Sequence, residues 1–290
     1  MMSEQQSGCG HSADHSCDGN CDHCKEKQNS DDCRLREGMN KIRHKIVVMS
    51  GKGGVGKSTV AVNLAFALAA ADKRVGLLDV DIHGPSVPKM LSLEGQTLMS
   101  ENERIVPVSV GPLKVVSLGF LLQNPDDAVV WRGPMKIGVI RQFLADVDWG
   151  ELDYLVIDTP PGTGDEPLSV CQMVPDATGA VIVTTPQEVA AADVRKSVSF
   201  CRQLQFPVLG IVENMSGFAC PHCGEITEIF SGNAGKEISE QFGVPFLGKI
   251  PIDPTVCAAG DSGHPFVGGR ESTPTRTAFQ SVIEPILKIE

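Results

Sequence analysis

No stretch of this 290-residue sequence reaches the about 18 consecutive apolar residues needed for a bilayer-spanning helix. The opening residues are polar and rich in Cys and His, so the apolar core of an export signal is also missing. Positive charge is scarce: 25 Lys and Arg stand against 36 Asp and Glu, for a formal net charge of −11. An acidic surface repels nucleic acid phosphates and anionic lipid alike, so neither nucleic acid nor membrane is an expected partner. No internal repeat is present. These absences lead to the expectation of a cytoplasmic protein whose ten cysteines are reduced thiols rather than disulfides.

With 41% hydrophobic residues, the chain can bury a full core. Residues 1 to 40 contribute almost nothing to it, being Ser, Asp, Gly, Cys and His with few aliphatic side chains, and are expected to form a Cys/His-rich tail. From residue 41 to 290, short apolar runs alternate with helical patterns, which predicts an α/β domain with a doubly wound, mostly parallel sheet. The expected strands are Ile46 to Met49, Val75 to Leu78, Val115 to Leu118, Tyr154 to Ile157, Ala180 to Val183, Val208 to Val212 and Phe246 to Ile250. Expected helices are Ser58 to Ala71, Gln187 to Leu204 and Pro274 to Lys288, the last bent or stopped by Pro285.

Directly after the first strand comes Gly51-Lys52-Gly53-Gly54-Val55-Gly56-Lys57-Ser58-Thr59, with a helix following. Gly, four residues, Gly, Lys and Ser or Thr in that setting is a phosphate-binding loop. Its glycines let successive backbone N–H groups converge on phosphate oxygens, and the helix start adds its positive dipole end. Lys57 is expected at the β- and γ-phosphates of a nucleotide and the Ser58 hydroxyl on Mg2+.

Two further strand ends carry acids. Asp79 and Asp81 project to one side of the second strand at the carboxyl edge of the sheet, where they either face the ligand crevice or cap the following turn. Leu155-Val156-Ile157-Asp158 is an apolar run closing in an acid, which makes Asp158 a candidate for the magnesium's water shell. It continues into Pro160-Pro161-Gly162, a stiff element followed by a flexible one, in which the Gly162 N–H is a candidate γ-phosphate sensor.

Cys220-Pro221-His222-Cys223 is a knuckle that can grip one metal with two thiolates. A zinc or four-iron site takes four ligands, and no second such pair follows nearby, so a two-fold dimer that shares one site satisfies the count. Half a zinc ribbon assisted by His222 is the alternative. Clustered Cys in an otherwise unfoldable tail is also metal chemistry, and Cys9, Cys17, Cys21, Cys24 and Cys33 are its candidate ligands.

Lys52, early in the phosphate loop, resembles the extra lysine of the MinD/ParA and nitrogenase iron-protein group of P-loop NTPases. That resemblance implies a homodimer in which Lys52 reaches the partner's nucleotide. It also implies that Asp81 orients the attacking water, that Asp79 supports the metal side, and that Asn214, Pro251 and Asp253 face the adenine. The phosphate loop, the segments Asp79 to Pro88, Asp158 to Pro167 and Asn214 to Gly217, and Cys220 to Cys223 together resemble the Mrp/ApbC family over about residues 38 to 290. This second resemblance implies a slow ATP hydrolase that holds a labile 4Fe-4S cluster between Cys220 and Cys223 of two chains and transfers it to apo iron-sulfur proteins. The tail loosely resembles the ferredoxin-like motif of eukaryotic relatives. Cys21 and Cys24 match its paired cysteines, and Cys9 or Cys17 joins Cys33 for a second 4Fe-4S cluster, with zinc as the alternative. The rival reading is a positioning ATPase of the MinD/ParA type with a structural zinc knuckle.

Overall fold

A computed structural model describes residues 27–81, 84–122, 131–230, 232–269 and 272–289. In chain order the elements begin with α1 (Lys27–Asn40), β1 (Ile42–Ser50), α2 (Lys57–Ala70), β2 (Val75–Asp79) and α3 (Val87–Met90). A small ribbon, β3 (Met99–Glu101) and β4 (Arg104–Val106), precedes β5 (Val108–Val110), β6 (Leu113–Ser117), α4 (Gly133–Asp146) and β7 (Leu152–Asp158). The remainder is α5 (Asp165–Met173), β8 (Gly179–Thr184), α6 (Glu188–Gln203), β9 (Val208–Ala219), β10 (Ile226–Thr227), α7 (Ala234–Phe242), β11 (Phe246–Ile252), α8 (Pro254–Asp261) and α9 (Pro274–Leu287).

The main sheet has the order β10-β9-β8-β1-β7-β2-β6-β5, with β11 also paired to β9. Its pairings are parallel except for β5 on β6 and β10 on β9. Side chains alternate across it. Ile46, Val48, Val156 and Val183 join α2 and α9 in one core, while Val47, Met49, Ile157 and Ile182 join α1, α4, α5 and α6 in the other. Burial on both faces is why these strands read as continuous apolar runs, and the doubly wound α/β expectation holds.

Register places the chemistry. Asp158 stands opposite Val48 of β1 and Asp79 of β2, and Asp79 stands opposite Ser117 of β6. The ends of the central strands therefore meet at one level on the carboxyl edge, where an open α/β sheet binds its ligand. All seven expected strands are present, but β9 runs seven residues past the expected end at Val212, to Ala219. Pro285 lies in the last turn of α9, and the helix stops at Leu287.

The stretch expected to be a tail ends in a docked helix. Helix α1 packs on α4 and β1, and its Leu35 and Met39 lie four apart on one face within the core. The buried Lys45 ammonium donates to the carbonyls of Met39 and Ile42 at 3.2 Å each and so satisfies the C-terminal end of α1. Its surroundings lower the Lys45 pKa, burial being the main cause. Cys33, expected among the metal ligands of the tail, is buried on this helix with 6% exposure, as a packed small hydrophobe is. Cys9, Cys17, Cys21 and Cys24 lie outside the described residues.

Met39 is wholly buried, so Met39→Ala should cost about 2–5 kcal/mol in a urea denaturation series. An undocked helix would show less than about 0.5 kcal/mol.

Candidate functional site

The loop from Gly51 to Gly56 connects β1 to α2, whose first residue is Lys57. Gly54 and Gly56 have φ of +77° and +80°, the left-handed region that a side chain resists. Gly51 is fixed differently: a Cβ there would lie 2.5 Å from the carbonyl oxygen of Asp193 on α6. The loop is thus held against the protein on one side and open on the other, where Gly53 and Gly54 are exposed. The Val55 carbonyl accepts from the Asn214 amide at 2.8 Å, which ties the loop to β9.

Lys57 is nearly enclosed, and its ammonium lies 2.6 Å from Asp158 Oδ1, 3.2 Å from Ser58 Oγ and 3.5 Å from Asp81 Oδ2. Burial alone would lower its pKa; the carboxylates of Asp158 and Asp81 outweigh that and raise it. Asp158 is completely buried, and burial raises its pKa against the opposing pull of Lys57. Its second oxygen, Oδ2, has no hydrogen-bond partner.

Ser58 and Asp158 fit Mg2+, since the Ser58 hydroxyl already lies on Asp158 and an orphaned carboxylate oxygen beside it favours a hard cation. When bound there, Mg2+ would polarise phosphoryl oxygens. Asp79 does not fit that role. Its Oδ1 accepts from the Asp81 N–H at 3.0 Å and its Oδ2 from the Ser117 hydroxyl at 2.8 Å, so it acts as the turn-capping acid. Full burial and the nearby Asp158 push its pKa up to about 8.

The Gly162 N–H, the expected phosphate sensor, donates to the Ser50 carbonyl at 2.7 Å with a φ of +95°. It must leave Ser50 to meet a phosphate. Pro161 lies over Gly53 and lines the phosphate pocket. Among the described residues, Lys52 has no ion-pair partner in its own chain.

Next to the phosphate pocket, of about 210 Å3, lies a cavity of about 460 Å3; both are bordered by Gly56, Thr59, Ser86 and Met90. Asn214, Pro251 and Asp253, the residues expected at the adenine, all line the larger one. Asp253 contributes shape rather than a spare carboxylate. It caps α8 through Thr255 at 2.8 Å and accepts from the Thr275 hydroxyl at 2.7 Å. Sequence reasoning missed Met90, Val256, His264 and Phe266 in this wall. The adjacent pair Asp253-Pro254, an N-cap followed by Pro at the first helical position, was the available signal for α8.

Strand β9 carries the knuckle at its far end. Cys220 donates its N–H to Glu225 and accepts the Gly224 N–H at its carbonyl, each at 2.9 Å, which closes a hairpin with β10. Cys220 is half-buried and Cys223 exposed. The backbone N–H groups of Cys223 and His222 point at the Cys220 sulfur, and the Cys223 thiol lies against it. These contacts lower the Cys220 pKa and favour the thiolate that binds metal. Among the described residues, no group of three or more His, Cys, Asp or Glu assembles that could hold a metal ion.

The profile of the ParA-type NUBPL iron-transfer P-loop NTPases matches residues 41–287. The chain belongs to this family. It is 51% identical over 261 residues to an iron-sulfur cluster carrier protein of Methanocaldococcus jannaschii, covering 87% of this chain and 90% of that one. It is 49% identical over 251 residues to the human cytosolic Fe-S cluster assembly factor NUBP2, covering 85% and 93%. Among solved structures, a nucleotide-binding protein of Archaeoglobus fulgidus in complex with ADP, with cobalt found in it, aligns with a TM-score of 0.72 at 44% identity, covering 81% of this chain and 92% of that one. The cell division ATPase MinD of Pyrococcus furiosus, at 23% identity and a TM-score of 0.59, has the same fold over 84% of this chain and 98% of its own.

As an iron-transfer P-loop NTPase, the chain is an ATP hydrolase. Among its described residues, no helix is long and apolar enough to cross a membrane. Phosphoryl transfer asks a protein for positioning and charge stabilisation more than for covalent chemistry. The Lys57 ammonium lines the pocket beside the loop, where it is a positive charge available for that task.

Asp79 yields a pH prediction. An acid that keeps its proton more tightly when folded than when unfolded costs the native state stability as pH rises from the ordinary carboxylate range toward 8. Asp79→Asn should flatten that decline in a series of urea melts between about pH 4 and 8. An unchanged slope would mean that Asp79 ionises normally.

Proposed function

We propose that this chain is an ATP-dependent iron-sulfur carrier whose two copies share one labile 4Fe-4S cluster through Cys220 and Cys223 and release it to apo-proteins. The observation that carries the reading is the knuckle: two neighbouring thiols, the half-buried Cys220 biased toward thiolate and Cys223 exposed, with no third ligand among the described residues. A site half built in one chain is completed by symmetry, since a two-fold axis brings the same pair twice. Relatives named as cluster carriers and as a cluster assembly factor support the cargo. A cluster is the substrate here, gripped by few and exposed thiolates so that an acceptor can remove it.

In this reading Asp81 orients the attacking water, Lys52 reaches the partner's nucleotide, and Gly162 exchanges the Ser50 carbonyl for the γ-phosphate. Hydrolysis is slow and serves timing. The acidic surface leaves nucleic acid and membrane out of the partner set, and the compartment is the cytoplasm. Cys9, Cys17, Cys21 and Cys24 hold a second cluster or zinc. The likeness to MinD is one of fold and favours no positioning role.

Anaerobic reconstitution with iron and sulfide tests this. The wild type should bind iron as a dimer, and Cys220→Ala with Cys223→Ala should lose the labile cluster. Removal of residues 1–26 should subtract any tail metal while sparing α1. Zinc alone, or a labile cluster that survives the double change in the chain lacking residues 1–26, would end the carrier reading. Lys57→Ala should lower ATP turnover by about 10²-fold or more.

A further inference from the structure

Between Asn214, which touches the phosphate loop, and Cys220, which begins the knuckle, β9 is not a regular strand. Met215 and Gly217 have φ of +57° and +87°, and the register with β11 shifts between Ile250 and Ile252. A Cβ on Gly217 would lie 2.9 Å from Ile226 Cγ2, so this bulge is packed directly under the return arm of the hairpin. Met215 lines the base cavity and holds a left-handed conformation that a side-chain-bearing residue resists. Something must hold the bulge in shape.

Glu213 does so. Its carboxylate is fully buried, accepts from the Ser216 hydroxyl at 2.8 Å and from the Gly235 N–H of α7 at 2.9 Å, and lies 3.6 Å from the Lys249 ammonium of β11. Lys249 also donates to Asn233 at 2.5 Å and stands 4.0 Å from Glu228, just beyond β10. Glu228 is 81% exposed, so that last contact is weak and the tie rests on Glu213. A buried charge stabilises a fold no better than a well-packed apolar residue would, whereas it does fix one arrangement of its neighbours.

The geometry points to Glu213, with Ser216 and Lys249, as positioning residues that fix the Cys220–Cys223 hairpin relative to the nucleotide cavity. The inference rests on the carrier reading, in which nucleotide occupancy sets cluster release, and it names the residues through which occupancy is felt. ATP or ADP held against Asn214 and Met215 shifts the start of the bulge, and the Glu213 clamp passes that shift to the hairpin.

Hydrogen exchange by mass spectrometry on the full-length chain without iron, with and without Mg-ADP, provides the test. In the wild type, nucleotide should slow exchange both at the phosphate loop and across residues 216–228. In Glu213→Gln and in Ser216→Ala, ADP affinity should stay within about twofold, while the nucleotide-dependent slowing at the hairpin falls by about fivefold or more. Lys249→Arg should retain it. If Glu213→Gln does not fold, Ser216→Ala decides alone. The inference is overturned if nucleotide protects only the loop in the wild type, or if the variants keep the hairpin response. It is equally overturned if the variants lose hairpin protection without nucleotide, which would make the clamp merely structural. Because exchange needs no cluster, failure of iron loading would remove the carrier reading and leave this result readable.

Discussion

The Lys57 ammonium stands among carboxylates that an apolar sheet has pulled out of water, and most of the site follows from that. Asp158 is wholly enclosed and Asp81 nearly so, and the Lys57 ammonium stands 2.6 and 3.5 Å from their oxygens. Asp79, one strand away, has its pKa raised by burial and by the nearby Asp158, which disfavours a third charge in the cluster. A buried carboxylate that loses its partner is strongly destabilising. When a phosphate draws Lys57 toward itself, Asp158 therefore needs another cation, and its orphaned Oδ2 is where that demand is greatest.

Chain geometry brings this cluster about before any side chain is chosen. Strands β7 and β2 end at one level, opposite each other at Asp158 and Asp79, and the loop that follows β7 is hydrogen-bonded to the end of β1 through Gly162 and Ser50. A change at the phosphate is thereby a change in the segment that leads to α5. The larger cavity is lined by α2, α3, α8, β9 and the end of β11, and it borders the phosphate pocket at Gly56, Thr59, Ser86 and Met90.

What the sequence disclosed and what it hid have physical reasons. Strands β1, β7 and β8 were legible because burial on both faces demands unbroken apolar runs, and the phosphate loop because left-handed φ at Gly54 and Gly56 admits little else. Helix α1 was hidden because only Cys33, Leu35 and Met39 are described as buried on it, and a face that narrow leaves no amphipathic signature in KQNSDDCRLREGMN. The far half of β9 was hidden for the opposite reason. Glu213 and Asn214 are polar yet buried, and the strand bends through Met215 and Gly217, so neither period nor polarity announced a strand. Local rules failed there because the segment is shaped by contacts to the phosphate loop, α7 and β11 rather than by its own preferences.

The proposed dimer has a thermodynamic consequence. If the phosphate site is finished by the partner's Lys52 and the metal site by the partner's two thiols, both ligands bind the dimer better than the monomer. Binding that favours a common state is reciprocal, so cluster must strengthen nucleotide binding by the same factor by which nucleotide strengthens cluster binding. Hydrolysis then has an effect at the knuckle without any atom of the nucleotide approaching it. On that reading, loss of the γ-phosphate would weaken the dimer, and a weaker dimer would hold a shared cluster less firmly. Slow turnover suits such a device, because each cycle need last only as long as it takes for an acceptor to arrive.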